Sequence, residues 1–300
     1  MGFFWIQDCH HSDGNVSGKE DCQAEKVRTE YADFFQGTVL VPNLSHAGTK
    51  GKGIMRVKVA WVSLLLLSLV LTPVTASAQG DATGDVEVVS GGRAYKSYLA
   101  APNAAGSYPG IILIHSNRGL EEGYRTMSDK LAAEGFVVLA VGWQTFAQSV
   151  DDATVKQLVE DSVKFISAHK AVDTKRLGLT GFCAGGRYTM LFLPQIETFK
   201  AGVAWYGFPY RGTPPPADFI EKLTAPMFII HGTEDTASPI ADIYKYATAL
   251  QAAKKYFEFK VYSGEPHGFM LVEGKMRQDE IGQNAFNQMV DFFKRKLVAA

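Results

Sequence analysis

Cysteine is scarce in this chain of 300 residues: there are three, and only Cys183 lies beyond position 22. So few thiols exclude a small fold stapled by disulfides. Cys9, His10, His11 and Cys22 cluster near the start, but their spacing matches no common zinc pattern. An excess of charge is missing too, since 30 Lys and Arg stand against 31 Asp and Glu. With no long basic run either, the chain lacks the electrostatic footprint of a nucleic-acid binder. Internal repeats and low-complexity tracts are absent, which excludes solenoid architectures. The longest early apolar run, Val59 to Leu71, falls short of the roughly 20 residues that span a bilayer.

That short run has a different use. Met55-Arg56-Val57-Lys58 supplies a basic start, Val59 to Leu71 an apolar middle, and Ala76-Ser77-Ala78 a small-residue end. This is the pattern of a secretory signal peptide over residues 55–78, with cleavage expected after Ala78. The product is expected to be secreted or periplasmic, meeting a membrane only during export. No cysteine follows the apolar run to accept a lipid. Signal peptides work at the beginning of a chain, so translation is expected to start at Met55. Residues 1–54, which show no helical or strand periodicity, are read as a non-native or disordered extension. The remaining 79–300 segment has the size of one α/β domain. Its single thiol, in an oxidising compartment, is either buried and inert or kept for reactivity.

Along that domain, Asp85–Ser90 and Ala94–Ala100 read as strands joined by a hairpin at Gly91-Gly92. Continuous apolar runs at Gly110–His115, Phe136–Val141, Ala201–Tyr206 and Pro226–His231 suit strands covered on both faces of a parallel sheet. Between them lie helical patterns over Tyr124–Glu134, Asp152–His169 and Ile240–Lys254, and a closing stripe from Ile281 to Leu297. Strand–helix alternation predicts a mostly parallel sheet with helices on both faces. Ligands on such sheets bind at the carboxyl ends of the strands.

The most informative stretch is Thr180-Gly181-Phe182-Cys183-Ala184-Gly185-Gly186-Arg187, between a strand-like run and an apolar helix. A nucleophile on a strained strand-to-helix turn needs small neighbours, and the helix N-terminus favours a thiolate over a thiol. Two later loops fall just past strands: Gly232-Thr233-Glu234-Asp235 and Gly264-Glu265-Pro266-His267. Nucleophile, acid and histidine in this order can converge at one sheet edge. The predicted roles are Cys183 as nucleophile, His267 as base and Asp235 as the group that orients it. The backbone N–H groups of Ala184 and Asn117 are placed for an oxyanion hole. Glu234 is the nearest rival to Asp235, while His115 and His231 are expected to end core strands and hydrogen-bond to backbone.

At these residues the chain resembles the dienelactone hydrolase (carboxymethylenebutenolidase) family of the α/β-hydrolase fold. Gly181-Phe182-Cys183-Ala184-Gly185-Gly186 is similar to its thiol elbow, and His267-Gly268-Phe269 to its histidine loop. His115-Ser116-Asn117-Arg118-Gly119-Leu120 is similar to the loop after its first parallel strand. The resemblance spans about Val86 to Leu297. It implies cofactor-free opening of an enol-lactone through an acyl-thioester. Two departures concern the substrate. Ser116 stands where the family usually has a glutamate, and Phe269-Met270-Leu271-Val272 replaces the arginine that follows its histidine. Ser116, Arg118 and Arg187 are therefore the candidate substrate contacts, with Arg211 a further arginine in reach. A small ester or lactone is the expected partner, and no nucleic acid. Two other readings of the chain are a binding protein whose catalysis has decayed, motivated by Ser116, and a redox thiol, weakened by the lack of a second cysteine in the domain.

Overall fold

A computed structural model describes residues 82–298. The expected signal peptide (55–78) and the extension before it (1–54) lie outside the described residues. Strand β1 (Gly84–Ser90) and β2 (Arg93–Ala100) form an antiparallel hairpin. Its turn residues, Gly91 and Gly92, have φ of 55° and 75°. Two successive positive φ angles let the turn follow the strands' own twist, and glycine adopts them without a Cβ clash. There follow β3 (Tyr108–Ile114), α1 (Glu122–Ala133), β4 (Val137–Val141), α2 (Asp152–Ser167) and β5 (Val172–Phe182). The second half adds α3 (Ala184–Phe192), β6 (Phe199–Trp205), β7 (Met227–Gly232), α4 (Ile240–Ala252) and β8 (Phe257–Tyr262). A short hairpin, β9 (Leu271–Val272) and β10 (Lys275–Met276), precedes α5 (Glu280–Phe293).

The eight-stranded sheet has the order β1-β2-β4-β3-β5-β6-β7-β8, parallel from β4 onward. Side-chain alternation divides the core into two. Ile112 and Ile114 face a layer with Val155, Leu158 and Ile166 of α2, Met190 of α3 and Ile243 and Leu250 of α4. Ile111 and Leu113 face Met127 and Leu131 of α1, and Met289, Phe292 and Phe293 of α5. Both faces are thus covered, which is why the central strands read as unbroken apolar runs.

Helix ends are capped where the chain supplies a carboxylate. Asp151 accepts from Thr154 N at 2.9 Å and starts α2; Asp279 accepts from Gly282 N at 2.9 Å and starts α5. Each such cap contributes about 1 kcal/mol. No side chain caps α1. Instead Gly123 N donates to the carbonyl of Gly274 in the β9–β10 hairpin at 2.8 Å. The hairpin therefore satisfies one of the orphan donors of α1.

Two expectations shift in detail. β5 begins at Val172 rather than near Arg176, because its first residues pair with Tyr108 and Pro109 across a register shift. α5 stops at Phe293, and Lys294–Val298 continues as a π-helical turn.

Candidate active site

The chain leaves β5 at Phe182, turns at Cys183 with φ 58° and ψ −112°, and enters α3 at Ala184. A non-glycine residue in this region stores of order 1–3 kcal/mol of strain, held here by close packing. A Cβ on Gly185 would fall 2.0 Å from the Ile114 carbonyl oxygen, and one on Gly186 2.2 Å from that of Trp205. Only glycine lets α3 seat this tightly on β3 and β6. Cys183 N donates to Trp205 O at 3.1 Å, which fixes the turn from the neighbouring strand. The thiol sits at the first turn of α3, where backbone N–H groups lack intrahelical acceptors. Cys183 is 8% exposed, and its Sγ lies 3.9 Å from Asn117 Oδ1.

Asp235 and His267, 32 residues apart, meet with His267 Nδ1 2.7 Å from Asp235 Oδ2. The other carboxylate oxygen accepts from Ala237 N (2.9 Å) and Ser238 N (2.8 Å). Burial alone would raise the Asp235 pKa. The bonds from His267 and the Ser238 amide overcome it and hold the carboxyl below its ordinary range, so it is ionised. Burial likewise disfavours a charged His267. The hydrogen bond with Asp235 and the nearby Cys183 sulfur outweigh it, and its pKa is raised to about 9. Its Nε2 is buried and has no hydrogen-bond partner; the Cys183 thiol donates to Asn117 Oδ1 instead. Glu234, the rival acid, is exposed.

The loop carrying Asn117 is braced by Ser116. Ser116 Oγ accepts from Arg118 N at 3.2 Å, and its carbonyl faces His115 Nδ1 at 2.6 Å. Its amide donates to the hydroxyl of Tyr124, a buried residue of α1, at 3.2 Å. The expected substrate contact through Ser116 is thus, in this structure, a bond within its own loop. His115 stacks on Trp143 with ring centroids 5.4 Å apart, and burial lowers its pKa to about 4, so it is neutral.

The arginines are committed as well. Arg118 stays at the surface, its side chain 59% exposed, with Nη2 3.0 Å from Glu121 Oε1. Arg187 is buried and grips Asp152 with both terminal nitrogens (2.7 and 2.6 Å), while Nε donates to Arg211 O at 2.7 Å. The guanidinium of Arg187, one of the expected substrate contacts, ties the elbow helix to the start of α2. Arg187→Met removes the cation and leaves Asp152, one-third exposed, unpaired. A loss of about 2 kcal/mol is expected, at the low side for a broken buried pair because water reaches the carboxylate. A thermal melt checks it. Arg211 lies 4.0 Å above the Phe208 ring and donates to Ala237 O at 3.1 Å.

Aromatic residues that sequence reasoning passed over enclose His267. Tyr206, at φ 35°, sets its ring at 5.1 Å edge-on, and Phe208 lies at 5.3 Å. Their one signal in the sequence was position, since Tyr206-Gly207-Phe208 follows β6 at the same edge as the other loops. Two surface clefts, of about 490 and 620 Å³, are lined by other residues, including Lys130 and Arg277 in one and Tyr108 and Asp129 in the other. Among the described residues no group of three or more His, Cys, Asp or Glu is arranged to hold a metal ion.

The strand order and the strained turn between β5 and α3 are those of the α/β-hydrolases. Within that class the chain belongs to the dienelactone hydrolase family, whose sequence model matches residues 95–297. A Methylorubrum extorquens protein named as a candidate carboxymethylenebutenolidase is 30% identical over 250 residues, covering 76% of this chain and 86% of that protein. The crystal structure of a candidate dienelactone hydrolase from Klebsiella pneumoniae superposes with a TM-score of 0.64 at 26% identity, covering 71% of this chain and 98% of that one. A dienelactone hydrolase-like promiscuous phosphotriesterase from metagenomic libraries shares the fold, with a TM-score of 0.61 at 17% identity and coverage of 71% and 98%. The protein is a dienelactone hydrolase-like α/β-hydrolase.

Proposed function

We propose that this protein is an exported, cysteine-dependent hydrolase that opens a lactone or cleaves a small ester through an acyl-thioester. The observation that carries the reading is the ring of His267, bonded on one side to Asp235 at 2.7 Å and raised in pKa from the other by Cys183. In this reading the thiol gives its proton to His267 Nε2 and the sulfur attacks the substrate carbonyl. The tetrahedral oxyanion is held by the backbone N–H groups of Ala184 and Asn117. Collapse expels the alkoxide, which takes the proton from His267; water, deprotonated by the same ring, then cleaves the thioester and restores the thiol. Asp235 stabilises the imidazolium and fixes its tautomer throughout.

A small substrate suits the narrow exposure of the site, with Cys183 8% exposed and the His267 side chain 21%. The lactone class is supported by the family and by the name of the Methylorubrum relative. Export rests on the leader pattern ending at Ala78. A second reading, a binding protein with decayed catalysis, is favoured by one observation: Ser116 brings no carboxylate near the thiol, and its hydroxyl is engaged by Arg118 N. A panel of p-nitrophenyl acetate and simple lactones separates the two. Turnover is expected, together with alkylation of Cys183 by iodoacetamide. No turnover across the panel favours the binding protein instead.

A further inference from the structure

A second imidazole reaches the acid that orients His267. His231, the penultimate residue of β7, is fully buried, and its Nε2 lies 2.8 Å from Ser238 O and 3.3 Å from Asp235 Oδ2. Both neighbours are acceptors, so Nε2 must carry a proton. Nδ1 has no hydrogen-bond partner. A proton there would be a buried donor beside nothing that accepts it, and the cation would have to be desolvated as well. The neutral Nε2–H tautomer is therefore the form that fits. Burial lowers the His231 pKa; its bond to Ser238 and the charge of Asp235 act the other way, and the charge of His267 reinforces the lowering. The titratable groups facing it are Asp235, on the loop that follows β7, and His267, from the loop after β8.

The four-residue turn from Asp235 to Ser238 closes on itself through this histidine. Ser238 N and Ala237 N donate to Asp235 Oδ1, Ser238 Oγ donates to Gly207 O at 2.6 Å, and His231 secures the Ser238 carbonyl. We infer that His231 is a positioning residue: as a neutral Nε2–H donor it pins the Asp235–Ser238 turn and points a dipole at Oδ2, leaving the negative charge of Asp235 undivided for His267. An imidazolium at position 231 would compete for the same oxygen. An apolar side chain there would let the turn, and Oδ2 with it, relax away from His267 Nδ1.

The inference rests on the proposed roles of Asp235 and His267, and the test reads His267 directly so that it does not depend on turnover. Histidine ¹⁵N NMR of the wild-type protein is expected to show residue 231 as neutral Nε2–H from about pH 6 to about pH 9. In His231→Phe the titration of His267 is expected to move down by about one unit, and kcat for p-nitrophenyl acetate to fall about tenfold with KM nearly unchanged. His231→Gln keeps an N–H donor near the position of Nε2 and is expected to restore both readouts to within about threefold of wild type. A cationic or Nδ1–H ring at position 231, an unmoved His267 in folded His231→Phe, or a His231→Gln as impaired as His231→Phe overturns the assignment. If His231→Phe fails to fold, the wild-type tautomer and His231→Gln decide it. Absence of turnover in the wild-type protein rejects the hydrolase reading while the NMR results still stand for His231.

Discussion

Cys183→Ser is expected to lower kcat with p-nitrophenyl acetate by about a thousandfold or more, and to leave the melting temperature almost unchanged. Oxygen for sulfur is a small change in volume at a site that is already 8% exposed, so packing is preserved. Chemistry is not. A serine hydroxyl is far harder to deprotonate than a thiol, and it cannot share in the charge pairing that helps raise His267 to about 9. The ring then loses one of the two contacts that favour its cationic form. Steady-state rates, with loss of iodoacetamide labelling as the control, check the result. Turnover unaffected by the change removes Cys183 from the mechanism.

Asp235→Asn is expected to cost nearly as much, about a thousandfold to ten-thousandfold in kcat, for a different reason. Asp235 is surrounded by donors: two backbone amides on one oxygen and His267 on the other. An amide offers one acceptor end only. Whichever way it turns, its NH₂ faces donors, and His267 is pushed toward the wrong tautomer. Leaving buried donors unpaired costs about 2 kcal/mol of stability as well. The direction with pH follows from the shift. Asp235 helps raise the His267 pKa to about 9; without the carboxylate the imidazolium is lost at lower pH. The alkaline limb of kcat/KM therefore moves to lower pH, and a rate profile measures it. A variant with an unmoved alkaline limb contradicts the proposed pairing.

Much of the fold was legible because its signals are local and strong. The unbroken apolar runs of β3, β4, β6 and β7 could hardly be anything but buried parallel strands, and Gly91-Gly92 announced its hairpin. The elbow was legible because its glycines answer a steric demand that few other turns make. Asp235 and His267 were readable through their place past strand ends. What stayed hidden depends on distance in space. Arg187 looked like any arginine near the proposed nucleophile, and nothing in its neighbourhood named Asp152, 35 residues away, as its partner. The β9–β10 hairpin, with two residues in each strand, is too short to leave a periodicity. Tyr124 reads as one apolar position of a helix, yet its hydroxyl meets the loop of Asn117.

That small hairpin carries a consequence for how the molecule can change. Glu265, two positions before His267, is clasped by Arg277, which also holds Asp279 at the head of α5. The hairpin itself rests on the first turn of α1. Lengthening the segment between Gly264 and Arg277 would pull on three parts of the structure together. The connection at residues 144–150 contains neither Asp235 nor His267. Insertions are expected to be tolerated better there than in the stretch bearing the histidine.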